Sequence, residues 1–315
     1  MYKTVFMYAG QGSQKVSMGK DLYENFDEFR EVIDSLTLSD KVKKLIQEEN
    51  IEVLSKTENT QPVMAAFAAG VTTVLTKNGI KADAALGLSL GEYGALFAAG
   101  VYDSDTYVNI VNLRGQVMSK AALEAPECSM SAILGLAAND VIEGCQKNED
   151  QGFVTVANYN CPGQYVICGD EAAVVKTEEY LREKGAKRCI RLQVSGPFHT
   201  RYMESAGTSL KKYIDTIPFE QPNIDVLLNV TGDYYKPQDD LKKMLELQVK
   251  SSVHFEDSIR KLLSSGYENF VEIGPGNALS GFVKKTARDM KVQVSIFQIE
   301  TAENLKEYID LRKGK

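Results

Sequence analysis

Leu86-Gly87-Leu88-Ser89-Leu90-Gly91-Glu92-Tyr93 reads as a strand running out into a G-x-S-x-G turn that opens directly into a helix. Upstream, Ala84 to Leu88 is the short apolar run of a buried parallel strand; downstream, Glu92 to Ala99 is rich in helix formers and stops at Gly100. A serine on so tight a turn projects its hydroxyl away from the backbone. Glycines at 87 and 91 remove the Cβ atoms that would collide where strand and helix nearly touch. The start of the helix also leaves N–H groups unpaired, that of Leu90 among them, which suits a developing oxyanion. The same five-residue pattern also marks ordinary strand-to-helix turns, so alone it leaves catalysis and plain chain reversal both open.

The chain of 315 residues is 43% hydrophobic and 25% charged, enough for a large core in a globular protein. A net charge of -7 and a pI near 5.2 argue against general nucleic-acid binding, so any basic docking site must be local. Cys128, Cys145, Cys161, Cys168 and Cys189 are odd in number and include no C-x-x-C pair. Reduced cytoplasmic thiols, no disulfide framework and no metal site are therefore expected. The first residues pass straight into a glycine turn without a signal-peptide pattern, and the most apolar helix, Val63 to Leu75, is too short to span a bilayer. No membrane association is expected, and nothing suggests a dedicated interface, so a monomer is expected.

Around the elbow, Thr4 to Tyr8 reads as a first strand followed by the loop Gly10-Gln11-Gly12-Ser13-Gln14. Its glycines would admit another backbone closely, or simply turn the chain. Phe26 to Lys56 is helical and charged, and Gln61-Pro62 opens a uniformly apolar, buried helix with proline in its first turn. Asp105 to Ala122 keeps a helical period, with Arg114 on the apolar face. A buried guanidinium needs an anionic partner or a wet cleft, so Arg114 is half of an internal salt bridge, a side chain snorkelling to solvent, or a reader of a carboxylate ligand.

From Pro126 the texture changes to strands at Ser129–Leu134, Phe153–Ala157, Gln164–Cys168 and Arg188–Gln193, with helices at Asp140–Gln146 and Glu171–Lys184. That βαββαβ order is the ferredoxin-like split motif. It gives an inserted small subdomain at 127–194 within a large subdomain formed by 1–126 and 195–315. Asn158 to Gln164 reads as a turn-rich hairpin loop. The chain returns through Ser195-Gly196-Pro197-Phe198-His199-Thr200, where a Gly-Pro turn can present His199 to a cleft. The other histidine, His254, reads as a structural residue at a helix start. Ile224–Asn229, Asn269–Ile273 and Val292–Gln298 complete a mainly parallel sheet covered on both faces.

Taken together, Gly10 to Gln14, Gly87 to Glu92, Arg114, Asn158-Tyr159-Asn160 with Pro162-Gly163-Gln164, Gly196 to His199 and Glu272 to Gly276 form an ordered set. From about residue 4 to about residue 300 the chain resembles the malonyl-CoA:acyl carrier protein transacylases, acyltransferases of bacterial fatty acid and polyketide synthesis. The resemblance implies an α/β fold with an α/β-hydrolase-like large subdomain, no cofactor, and malonyl-CoA and acyl carrier protein as partners. It implies Ser89 as nucleophile and His199 as base, with the backbone carbonyl of Gln248 orienting the imidazole in place of a triad acid. It further implies the N–H groups of Gln11 and Leu90 as oxyanion hole, Arg114 on the malonyl carboxylate, and Phe198 and Asn160 at the substrate. Leu88 stands where the family carries histidine, and Ala9 where proline is common, so altered tuning near the serine is expected.

An acidic carrier needs a basic surface on this acidic chain. Arg182, Lys184, Lys187, Arg188 and Arg191 form one candidate patch, with Lys284, Lys285 and Arg288 a second. A polyketide synthase acyltransferase acting in trans, and a serine thioesterase or esterase, are the alternative readings.

Overall fold

Thr4–Tyr8 (β1) is buried along its whole length, as a strand covered on both faces must be. The remaining strands, in chain order, are Ala84–Gly87 (β2), Cys128–Leu134 (β3), Val154–Cys161 (β4), Gln164–Asp170 (β5), Arg188–Arg191 (β6), Asp225–Leu228 (β7), Asp233–Tyr234 (β8), Val253–His254 (β9), Asn269–Ile273 (β10) and Ser295–Ile299 (β11). The computed structural model describes residues 3–193 and 196–314.

The fold is mixed α/β, with the strands in two sheets. The larger is ordered β11-β10-β1-β2-β7-β8; β1 pairs in parallel with β2 and β10, and only the β7/β8 pairing is antiparallel. Helices Thr57–Lys77, Leu90–Ala98 and Ser104–Glu124 build the core on one face, while Phe255–Ser264 and Ala278–Met290 cover the other. The smaller sheet is ordered β6-β3-β5-β4-β9 and packs on helices Ala138–Lys147 and Glu171–Glu183 through Ile133, Val156, Ile167 and Leu181. All five cysteines are free thiols. No helix among the described residues is long and apolar enough to cross a membrane.

Several elements depart from the sequence reading. The apolar helix starts at Thr57, so Pro62 lies inside it and not in its first turn. Proline leaves the carbonyl four residues back, that of Glu58, without its helical donor, and Lys41 Nζ takes that place at 3.0 Å. Asn158 to Cys161 belong to β4, leaving only Pro162-Gly163 as the hairpin turn; register shifts fall between Val156 and Asn158 and between Tyr159 and Cys161. His254 precedes its helix as the last residue of β9, whose parallel pairing with β4 extends the small sheet with chain from beyond the expected insertion. The last strand begins at Ser295, not Val292, and β6 ends at Arg191. The expected junction at 194 and 195, Ser195 included, lies outside the described residues.

Candidate active site

Two loops at the carboxyl ends of β1 and β2 meet here, the usual place for ligands in an open parallel sheet. At the elbow, an added Cβ on Gly87 would stand 1.9 Å from the carbonyl carbon of Gly91, and one on Gly91 2.0 Å from the carbonyl oxygen of Tyr8. Only glycine permits this packing of helix on strand. Ser89 caps the helix with φ 54° and ψ -104°, a strained conformation for a residue with a side chain. Asn229, the residue just past β7, holds it there: its Oδ1 accepts from Ser89 N at 2.7 Å and its Nδ2 donates to Gly87 O at 2.7 Å.

Ser89 Oγ and His199 Nε2 are 2.7 Å apart, and His199 Nδ1 lies 2.9 Å from the carbonyl oxygen of Gln248. A carbonyl can only accept, so Nδ1 carries the proton and Nε2 is left to accept from the serine hydroxyl. Burial lowers the His199 pKa to about 4, and the Arg114 charge pushes in the same direction. The imidazole is therefore neutral at physiological pH. His199 also has a positive φ of 61°, so serine and histidine both sit in strained backbone.

Arg114 is 1% exposed and has no carboxylate partner among the described residues. Instead Nη1 donates to Gln61 Oε1 at 2.9 Å, and Nη2 donates to Ser89 Oγ at 3.0 Å and Gln248 Oε1 at 3.1 Å. Its guanidinium also lies over the Tyr93 ring, 5.3 Å from the centroid. Gln248 Nε2 donates to Ser89 O at 2.6 Å, so one glutamine braces the histidine, the arginine and the serine backbone. Gln11 is tied to the same frame, donating to Thr57 Oγ1 at 2.9 Å and accepting from Gln61 at 3.4 Å. Behind the serine, Glu92 is fully buried with neither carboxylate oxygen within good hydrogen-bond geometry of a described residue, and burial raises its pKa to about 8 against the weaker opposing pull of Gln248, the Asn229 backbone and the Arg114 charge.

A cavity of about 360 Å³ opens onto this group, lined among others by Gln11, Leu88, Ser89, Arg114, Asn160, Phe198 and His199. Leu90 is buried behind it, where its N–H, at the first helical position, has no intrahelical acceptor. The structure thus brings together the residues expected from the sequence. It adds three that the sequence left unmarked: Gln61, Asn229 and Glu92. Gln61 was visible only as a helix opener and Asn229 only as a strand end; Glu92 stood within the elbow with no signal of its burial.

The basic candidates separate by their partners. Arg182 pairs with Glu178 at 3.0 Å, Lys184 approaches Glu143 at 3.6 Å, and Arg191 bonds Glu171 at 3.0 Å and Glu178 at 2.7 Å. Lys187, Arg188, Lys284, Lys285 and Arg288 form no ion pair among the described residues. Three of these, Lys187, Arg188 and Lys285, line a common groove with Pro162 and Gly163, so the two patches meet.

A strained serine bonded to a neutral histidine, beside a buried cation in a cleft, is the equipment of an acyl-transfer enzyme. The chain belongs to the acyl transferase domain family, whose model matches residues 5–308. Among its relatives, the malonyl CoA-acyl carrier protein transacylase of Bacillus subtilis (strain 168) is 40% identical over 306 residues, 96% of each chain. The crystal structure of the transacylase of that name from Clostridium perfringens superposes with a TM-score of 0.92 at 36% identity, over 99% of this chain and 98% of that one. A malonyl-transacylase solved in complex with its type II polyketide synthase acyl-carrier protein matches with a TM-score of 0.90 at 29% identity, over 98% of this chain and 99% of the other.

Proposed function

We propose that this chain transfers malonyl from malonyl-CoA to the phosphopantetheine thiol of acyl carrier protein, in fatty acid biosynthesis, through a malonyl-serine intermediate. Ser89 Oγ attacks the thioester carbonyl while its proton passes to His199 Nε2. The oxyanion is met by the N–H groups of Gln11 and Leu90. Collapse breaks the carbon–sulfur bond, and His199 returns the proton to the departing thiol. The carrier thiol then repeats the sequence in reverse: it gives its proton to His199 as it attacks, and His199 passes that proton to Ser89 Oγ as the carbon–oxygen bond breaks. The carbonyl of Gln248 serves in place of a triad acid by fixing the tautomer and favouring the imidazolium as it forms. No cofactor takes part.

The observation that carries this reading is the bond from Arg114 to Ser89 Oγ at 3.0 Å, because it sets a buried, otherwise unpaired cation within reach of an acyl group attached there. Malonyl differs from acetyl by a carboxylate, the group that a planar guanidinium fork binds best. Phe198 closes the same cavity. We place the carrier at the groove of Lys187, Arg188 and Lys285, and take the enzyme to act as a cytoplasmic monomer. Residues 127–194 are read as a ferredoxin-like insertion in an α/β-hydrolase-like subdomain, supported by the sheet order β6-β3-β5-β4.

Intact mass after mixing with malonyl-CoA tests the chemistry. A malonyl adduct is expected, absent in Ser89→Ala and cleared by holo carrier protein. An adduct surviving in Ser89→Ala, or none in the unaltered protein, would refute the mechanism. An adduct lost to water as fast as to the thiol would favour a thioesterase. Transfer to a polyketide carrier, suggested by the relative solved with one, is distinguished by the same clearance measured against both carriers.

A further inference from the structure

Glu92 is a buried acid behind the catalytic cleft that the acyl-transfer steps leave unused. It follows Ser89 in the first turn of the elbow helix, has no exposed surface, and neither of its oxygens has a hydrogen-bond partner of good geometry among the described residues. Gln248 and the Arg114 charge both act on it, yet acid and guanidinium form no ion pair. Arg114 instead donates to Gln61, Ser89 and Gln248, all neutral, and its Nε is unpaired. A buried anion without hydrogen bonds costs far more than a neutral carboxyl, so Glu92 rests as the acid. In that form it takes no share of the Arg114 charge.

We propose that Glu92 is a specificity-determining residue: protonated, it leaves the whole Arg114 charge to the malonyl carboxylate, and ionised, it competes with the substrate for that charge. This deepens the malonyl-transfer reading and rests on it. By linkage, a carboxylate seated on Arg114 must in turn hold the proton on Glu92. The titratable groups facing Glu92 are Arg114 from helix Ser104–Glu124, Tyr93 on its own helix and Tyr102 from the turn that follows. Helix Leu241–Lys250 presents Gln248 and the end of β7 presents the Asn229 backbone, neither of them charged. Of β1, β2 and helix Thr57–Lys77, which also pack on the elbow helix, the buried titratable side chain is Tyr8, whose hydroxyl bonds Thr72 at 2.9 Å. Burial pushes all three tyrosines up and His199 down, and a guanidinium does not deprotonate. Glu92, raised by burial to about 8, is therefore the group in this set that changes charge just above neutrality.

The test measures kcat/KM for acylation of Ser89 by malonyl-CoA and by acetyl-CoA, read by quenched intact mass, from about pH 6.5 to about pH 9.5. Changes in the nucleophile, in His199 and in CoA itself are common to both donors and cancel in the malonyl-to-acetyl ratio. In the unaltered protein that ratio should fall roughly tenfold through a midpoint near 8, the scale of one like charge set beside a largely dry site. In Glu92→Gln, whose amide keeps the shape and never ionises, the ratio should hold its low-pH value throughout. Proton uptake gives the reciprocal readout. Binding of malonyl-CoA to Ser89→Ala at about pH 8 should draw in a fraction of a proton beyond that drawn by acetyl-CoA, and the excess should vanish when Glu92→Gln is added. A ratio that is flat with pH in the unaltered protein, or that falls equally in Glu92→Gln, overturns the proposal, while a malonyl adduct on Ser89 keeps the malonyl-transfer reading standing. If malonyl-CoA gives no adduct at any pH, that reading falls and this one with it.

Discussion

Replacing Arg114 with alanine should change which acyl group Ser89 accepts more than whether it accepts one. In the free site the guanidinium spends its hydrogens on two glutamine carbonyls and the serine hydroxyl, all neutral acceptors. A malonyl carboxylate would replace one or two of these with charge-assisted bonds, worth about 1.5–3 kcal/mol each against about 1 kcal/mol for the neutral ones. With two bonds replaced the net gain is about 1–4 kcal/mol, so the malonyl-to-acetyl ratio of acylation rates should fall by roughly 5-fold to several hundredfold. Effects on the serine and histidine themselves cancel in that ratio, because acetyl and malonyl share the nucleophile. The assay is initial acylation of Ser89 by malonyl-CoA and by acetyl-CoA, read by quenched mass. A second readout is the acid limb of the pH profile. The Arg114 charge helps to hold His199 down at about 4, so the variant's limb should move to higher pH. If both acyl donors slow equally and the ratio stays put, Arg114 tunes the nucleophile and does not read the substrate.

Three further outcomes follow from the same site. His199 protonates near 4 in the folded protein but near 6.5 when unfolded, so its contribution to stability is complete above 6.5 and is lost as pH falls toward 4; urea denaturation should show the native protein losing about 2 kcal/mol between pH 7 and pH 5 that His199→Gln keeps. Glu92 has the opposite sign: raised to about 8, it favours folding fully only below its unfolded value and costs stability as pH rises through neutrality. Glu92→Gln should therefore be more stable than the native protein by about 3 kcal/mol at pH 7, and nearly equal to it at pH 4, in the same denaturation series. Gly91→Ala, whose methyl would sit 2.0 Å from the Tyr8 carbonyl oxygen, should lose about 3 kcal/mol or more and with it the Ser89 adduct; unchanged stability would show that the elbow tolerates a side chain there.

What could be read from the sequence follows from where each cause lies. The elbow was legible because its constraint is local: strand, glycines, serine and helix are contiguous, and steric contact between Gly87 and Gly91 dictates their identity. Arg114 was legible as an anomaly, a permanent cation on an apolar helix face, although its neutral partners Gln61 and Gln248 were not. β9 was invisible because two residues carry no period, and its partner in β4 lies far back in the chain. The proline in helix Thr57–Lys77 misled for a related reason. The cost of an interior proline is offset by Lys41, a tertiary contact that no local pattern records.

Asn229 shows why the braces around such a site escape a sequence reading while the reacting groups do not. Serine and histidine are chosen by chemistry, so their types are few and their setting conspicuous. The brace is chosen by geometry: any side chain offering one acceptor to Ser89 N and one donor to Gly87 O would satisfy the elbow, and a carboxamide does both. This pairing closes the gap that the turn opens in the sheet's hydrogen bonding, and so offsets the strain of holding Ser89 at φ 54°. The two strained residues are then fixed by different means, Ser89 by Asn229 and His199 by a backbone carbonyl of the helix Leu241–Lys250. In the proposed mechanism, a serine–histidine pair without an acid needs this rigidity more than a triad does. A neutral carbonyl orients the ring but supplies little charge, so the imidazolium relies on being held where the proton must go.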